Sequence, residues 1–111
     1  MENEKAGKAF EKVIRELNRK LRRKYSDFSG ITFFGSRSRG DYSIASDFDI
    51  VVLFSKKPEW TRENDVLDMV YETELKYDIV IDAKVYHDEE IRKQNTPFRV
   101  NVMREGIFYG A

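Results

Sequence analysis

The sequence predicts an α/β sandwich in which helices cover a small mixed sheet. Two observations carry this: one long amphipathic stripe near the start, and short β-branched or aromatic runs separated by polar turns. They fall in the order helix, strand, strand, helix, strand, helix. In the first segment Ala6, Ala9, Phe10, Val13, Ile14, Leu17 and Leu21 recur at helical spacing and draw one apolar face. Residues 25–30 form a short polar break, and Ile31-Thr32-Phe33-Phe34 is a β-prone run that stops at Gly35. The Gly-, Ser-, Arg- and Asp-rich stretch 35–46 reads as a loop. The run DFDIVVLF, Asp47 to Phe54, is the strongest strand, and Pro58 turns the chain after it. Thr61 is placed to cap a second helix reaching about Leu75, with Val66, Leu67, Val70, Tyr71 and Leu75 on its inner side. A third strand is expected over 78–86. Thr96-Pro97 then opens a short helix that Gly106 ends, and Ile107, Phe108 and Tyr109 close the chain as an extended apolar tail.

At 111 residues the chain is long enough for one domain and too short for two, so residues 1–111 are expected to form a single unit. With 41% hydrophobic and 14% aromatic residues and 2 prolines, the composition is that of a globular protein. The absence of cysteine excludes disulfide scaffolds, thiolate zinc sites and cysteine nucleophiles. A single histidine, His87, excludes a multi-histidine metal site; it sits in the polar run YHDEE and is expected at an exposed turn. No apolar run approaches the ~20 residues of a membrane span, and MENEKAGKAF lacks the apolar stretch of a secretory signal. A cytoplasmic protein with no membrane contact is the expectation. Charge balances at 20 basic against 20 acidic residues, yet Lys5 to Lys24 holds nine Lys/Arg and two Glu. Such a helix suits RNA, nucleotide phosphates or an acidic partner, but a solvated face is the commoner reason for it.

The chemistry gathers around the second strand. Alternation puts Asp47 and Asp49 on one face, with Phe48, Ile50, Val52 and Phe54 on the other. Two adjacent carboxylates repel each other at neutral pH; a divalent cation removes that repulsion, and hard oxygen ligands suit Mg²⁺ or Mn²⁺. Asp82, between Ile81 and Ala83, is expected mid-strand, where an unpaired charge is costly, and joins the cluster if the two strands are neighbours. Three carboxylates are what two metals ~3.5–4 Å apart require for in-line phosphoryl chemistry. Asp78 has the same parity and is the rival third ligand, though it follows the polar end of a helix. The preceding loop supplies the phosphate half. Gly35 admits close approach of backbone N–H groups, Ser36 and Ser46 add hydroxyl donors, and Arg37 and Arg39 match phosphate oxygens.

The run GSRSRGDYSIASDFDIVVLF resembles the Gly-Ser…Asp-x-Asp pattern of the nucleotidyltransferase superfamily built on the DNA polymerase β palm. In detail it is similar to the minimal nucleotidyltransferases, and the likeness continues through YDIVIDAKVY and TPFRVNVMREGIFY. The resemblance implies a polymerase β-like palm in which Gly35 and Ser36 hold a nucleoside triphosphate, ATP or another. It implies that Asp47 and Asp49 bind two Mg²⁺ ions and that Asp82 is the third carboxylate, placed to help deprotonate the acceptor hydroxyl. It further implies an antitoxin whose partner is a small all-helical HEPN ribonuclease, silenced by transfer of AMP onto a tyrosine. Larger relatives append a domain for the acceptor, for which 111 residues leave no room, so a partner or a second copy must supply that surface. Two other readings are a binding module that neutralises a helical partner by occlusion, and a transferase acting on a small molecule or an RNA end.

Overall fold

The computed structural model describes residues 2–34, 48–93 and 96–111. Among them four helices and four strands follow in the order α1 (Glu2–Lys24), β1 (Phe28–Phe34), β2 (Phe48–Phe54), α2 (Trp60–Tyr77), β3 (Ile81–His87), α3 (Asp88–Arg92), α4 (Pro97–Glu105) and β4 (Ile107–Gly110). The strands make one mixed sheet in the order β3-β2-β1-β4. β1 runs antiparallel to both β2 and β4, whereas β2 and β3 are parallel and joined through α2.

Alternation along β2 divides the interior in two. Ile50, Val52 and Phe54 face α1 and α2 and meet Phe10, Val13, Ile14, Leu17 and Leu21, the stripe expected of the first helix. Phe10 stacks on Phe48 with ring centroids 3.8 Å apart. Val51 and Leu53 face the other way and pack with Ile91 of α3. β2 is therefore covered on both faces, which is why it reads as a continuous apolar run.

Several elements depart from the sequence expectation. β1 begins at Phe28 rather than Ile31. Gly30, which resembles a strand breaker, has φ +149° and sits at a register shift against β2. A Cβ there would lie 2.5 Å from the Tyr109 carbonyl oxygen, so the glycine lets β4 approach β1. The apolar tail accordingly becomes a paired strand, held to α1 by Asn18, whose Nδ2 donates to the carbonyls of Tyr109 (3.2 Å) and Gly110 (3.1 Å). α2 starts one residue before Thr61, with Glu59 at its N-cap. Its inner side is Val66, Val70 and Thr73; Leu67, Tyr71 and Leu75, expected inside, are exposed. The sequence pattern carried two apolar faces, and only one of them meets the sheet. β3 starts at Ile81, not at residue 78, because Asp78 caps α2 in the left-handed region at φ 53°. The run HDEE is no open turn. His87 precedes α3, and Glu90 reaches back to accept from its N–H (3.2 Å) and to meet its Nδ1 (2.6 Å). The last helix is capped as expected, Thr96 Oγ1 accepting from the Arg99 N–H at 3.2 Å.

Polar contacts fix the helices to each other. Lys76 Nζ and Tyr77 OH donate to Glu16 Oε1 at 2.8 and 3.1 Å, joining the end of α2 to α1. Arg62 donates to both oxygens of Asp27 (2.7 and 2.6 Å) while its guanidinium lies over the rings of Tyr25 and Phe54.

Leu17→Ala is expected to cost about 2–5 kcal/mol in a urea unfolding series, whereas Leu75→Ala is expected to stay within about 0.5 kcal/mol; equal losses would place both side chains in the core. A second expectation concerns acid. The hydrogen bond from Lys76, opposed by partial burial and helped by Tyr77 and Lys20, holds the Glu16 carboxyl below its ordinary range. Stability contributed by a lowered carboxyl is present above its unfolded value, about pH 4.3, and is lost as pH falls through the folded one. The stability gap between the native chain and Glu16→Gln should therefore close below about pH 4.3; a gap that stays constant down to pH 2.5 would contradict this linkage.

Candidate active site

The sheet brings three strand ends to one edge. β1 ends at Phe34, whose Cα partner is Asp49, the second residue of β2. Because β2 and β3 are parallel and in register, the Cα partner of Asp49 on the other side is Asp82, the second residue of β3. Partners in register share a face, so Asp49 and Asp82 stand side by side on strands roughly 4.8 Å apart. They occupy the Val51–Leu53 face of the sheet, away from α1 and α2. The residue after Phe34 is Gly35, so the Gly-Ser step leaves from this same edge, and the residue before Phe48 is Asp47.

The edge is held from behind. Phe48 is clamped by the Phe10 ring, and its N–H donates to the Val80 carbonyl at 3.1 Å, extending the β2–β3 ladder past Ile81. The Ile81 N–H donates to Glu74 Oε2 at 3.1 Å, so α2 fixes where β3 begins. Backbone pairing on both sides of β2 thus sets the positions of Asp49 and Asp82 along the edge.

Asp49 is half-buried, in keeping with a central strand. Asp82 is not the buried mid-strand acid the sequence suggested: its side chain is 48% exposed, and Lys84 Nζ lies 3.4 Å from its Oδ2. Lys84, two residues further along β3, shares its face. This lysine was overlooked in the sequence, where the alternation in DAKVY was its only signal. Asp78, the rival ligand, caps α2 as an exposed residue off the strand. His87 pairs with Phe54 at the opposite end of the sheet from Asp82 and has no place in the site. Gly35, Ser36, Arg37, Arg39, Ser46 and Asp47 lie outside the described residues. Among the described residues no three His, Cys, Asp or Glu side chains converge as a metal site, and no helix is long and apolar enough to cross a membrane.

Comparison with known proteins identifies the family. Residues 14–109 match the nucleotidyltransferase domain family. A Methanocaldococcus jannaschii protein with the provisional name protein adenylyltransferase MJ0604 is 37% identical over 98 residues, covering 86% of this chain and 93% of its own. A solved structure of a provisionally assigned nucleotidyltransferase from Sulfolobus solfataricus superposes with TM-score 0.66 at 20% identity, covering 98% of this chain and 86% of that one. A chain of the Shewanella oneidensis complex between tri-AMPylated HEPN toxin and MNT antitoxin superposes with TM-score 0.54 at 17% identity, over 98% and 73%. The family match spans the strand edge and the residues that follow β1, and the chain belongs to the nucleotidyltransferase domain family.

Proposed function

We propose that this nucleotidyltransferase moves AMP from ATP onto a hydroxyl of a partner protein of the HEPN type. The observation that carries the reading is the register pairing of Asp49 with Asp82 at the edge where β1 gives way to Gly35-Ser36. The name of the 37% identical relative and the tri-AMPylated toxin in the Shewanella complex support AMP and a protein acceptor.

In this reading Gly35, Ser36, Arg37, Arg39 and Ser46 hold the triphosphate, through backbone N–H groups, hydroxyls and guanidinium forks. Two carboxylates on neighbouring strands, with Asp47 next along, are an all-oxygen donor set that fits hard divalent cations. Asp47, Asp49 and Asp82 would hold Mg²⁺, which would supply charge neutralisation at the α-phosphate and the departing pyrophosphate. The acceptor oxygen bonds to the α-phosphorus as the bond from that phosphorus to the bridging oxygen breaks. Pyrophosphate leaves, and the hydroxyl proton passes to Asp82, whose exposed position lets an acceptor reach it. Lys84, beside Asp82, offsets part of the carboxylate repulsion before substrate binds.

With Mg²⁺ and labelled ATP, intact-mass measurement should show AMP units added to a HEPN-type partner, and none with Asp47→Asn or Asp49→Asn although both variants keep the fold. Full activity in either variant would remove the metal assignment, and unchanged neutralisation of the partner by the doubly substituted chain would favour occlusion instead. Stability gives a separate check on Asp82. Like charges opposite each other in a sheet are unfavourable, so Asp82→Asn measured in EDTA should be neutral or gain up to about 1 kcal/mol. A loss larger than that would make Asp82 a structural acid.

A further inference from the structure

The α2 residues expected in the core and found outside form a pattern of their own. Trp60 is 73% exposed, Leu67 41%, Tyr71 59% and Leu75 66%. Their spacings of seven, four and four residues keep them on one side of the helix, and the stripe runs about 22 Å along it. It points away from the flank where Val66, Val70 and Thr73 meet the sheet. Four large side chains in line on one 18-residue helix are more than the scattered apolar residues of an ordinary surface, and Trp and Tyr are the side chains that dominate binding surfaces.

The rim of this stripe has one sign of charge. Helical geometry sets the exposed Asp68 and Glu72 along one side and the half-buried Glu63 and Glu74 along the other, where Glu74 also accepts from the Ile81 N–H. The basic residues of α2 are turned elsewhere, Arg62 to Asp27 and Lys76 to Glu16. A second copy docking α2 against α2 would set acidic rim against acidic rim. The basic α1 of a second copy has its apolar side committed to its own core. We infer that this face takes an amphipathic helix of a partner protein, apolar in the middle and flanked by Lys or Arg. The stripe ends at Leu75, a few residues before Val80, whose carbonyl accepts from the Phe48 N–H next to Asp49. A helix laid along α2 therefore reaches the end of the molecule at which β2 and β3 begin, on the face of the sheet opposite Asp49 and Asp82. The purpose of the docking rests on the protein-acceptor reading; the docking itself does not.

Trp60 is the only tryptophan in the chain, so its emission reports this face alone. The probes are two synthetic 18-residue helices with the same leucine stripe, one flanked by lysine and one by glutamate, added without nucleotide or metal. The lysine helix should shift Trp60 emission to the blue and saturate, at least tenfold more tightly than the glutamate helix. Asp68→Lys with Glu72→Lys should reverse that order. Tyr71→Ser with Leu75→Ser should weaken binding at least tenfold while circular dichroism and the thermal midpoint stay unchanged. No shift, or equal response to both helices, would overturn the proposal. So would a blue shift that grows with protein concentration alone and coincides with dimer in sedimentation, since the occupant would then be a second copy. Because no ATP is present, a failure here is separate from a failure of AMP transfer.

Discussion

Everything at the candidate site depends on the double pairing of β2. One strand, buried on both faces, is hydrogen-bonded antiparallel to β1 on one side and parallel to β3 on the other. That combination forces the end of β1 and the beginnings of β2 and β3 to one edge. The side-chain period of two then gives Asp49 and Asp82 a common face. A slip of one residue in either ladder would turn a carboxylate into the core and an apolar side chain out, at a cost far above that of any surface contact. The packing of Phe10 on Phe48, and of the α1 stripe on Ile50, Val52 and Phe54, makes that slip unavailable. Hydrophobic burial thus sets the geometry of two charged groups that are themselves mutually repulsive.

Much of this was legible in the residues. The α1 stripe from Phe10 onward, the β2 run from Phe48 and the capped helix after Thr96 follow from periodicity and turn chemistry, and each is found in the structure. What could not be read locally was decided by partners distant in sequence. Gly30 resembles a break until β4 is seen to lie against it. Leu67, Tyr71 and Leu75 have core-forming chemistry and helical spacing, and only the crossing of α2 over the sheet determines that Val66, Val70 and Thr73 are the inner set. Asp82 looks buried in the string IDA because the start of β3 is fixed by an αL cap at Asp78, a conformation aspartate tolerates but which the apolar run DIVIDA conceals. The His87–Glu90 pair had a local signature, a helix-capping Glu three residues on, concealed by a polar run that also suits a turn.

The charge distribution separates duties along the molecule. From Lys12 to Lys24 the basic residues of α1 are exposed, α2 carries acids around an apolar stripe, and the two helices are stitched to each other through Glu16 and Lys76. The carboxylate pair stands on β2 and β3, on the face of the sheet away from both helices. The carboxylate pair is thus built on the sheet and the exposed apolar stripe on the helical layer, so the two can vary independently of each other.

The close approach at Gly30 also bears on how the chain reaches this state. β1 pairs with β2 across short spans, whereas its pairing with β4 joins residue 30 to residue 110. Loop closure over so long a separation comes late, so the outer edge of β1 waits unpaired while the centre of the sheet assembles. A waiting strand edge is a template for intermolecular pairing. On that outer edge the register runs without a shift from Gly30 to Phe33, so only the arrival of β4 closes it. Because a Cβ at Gly30 would meet the Tyr109 carbonyl, the same residue that shapes the finished sheet decides whether its last strand can close that edge at all.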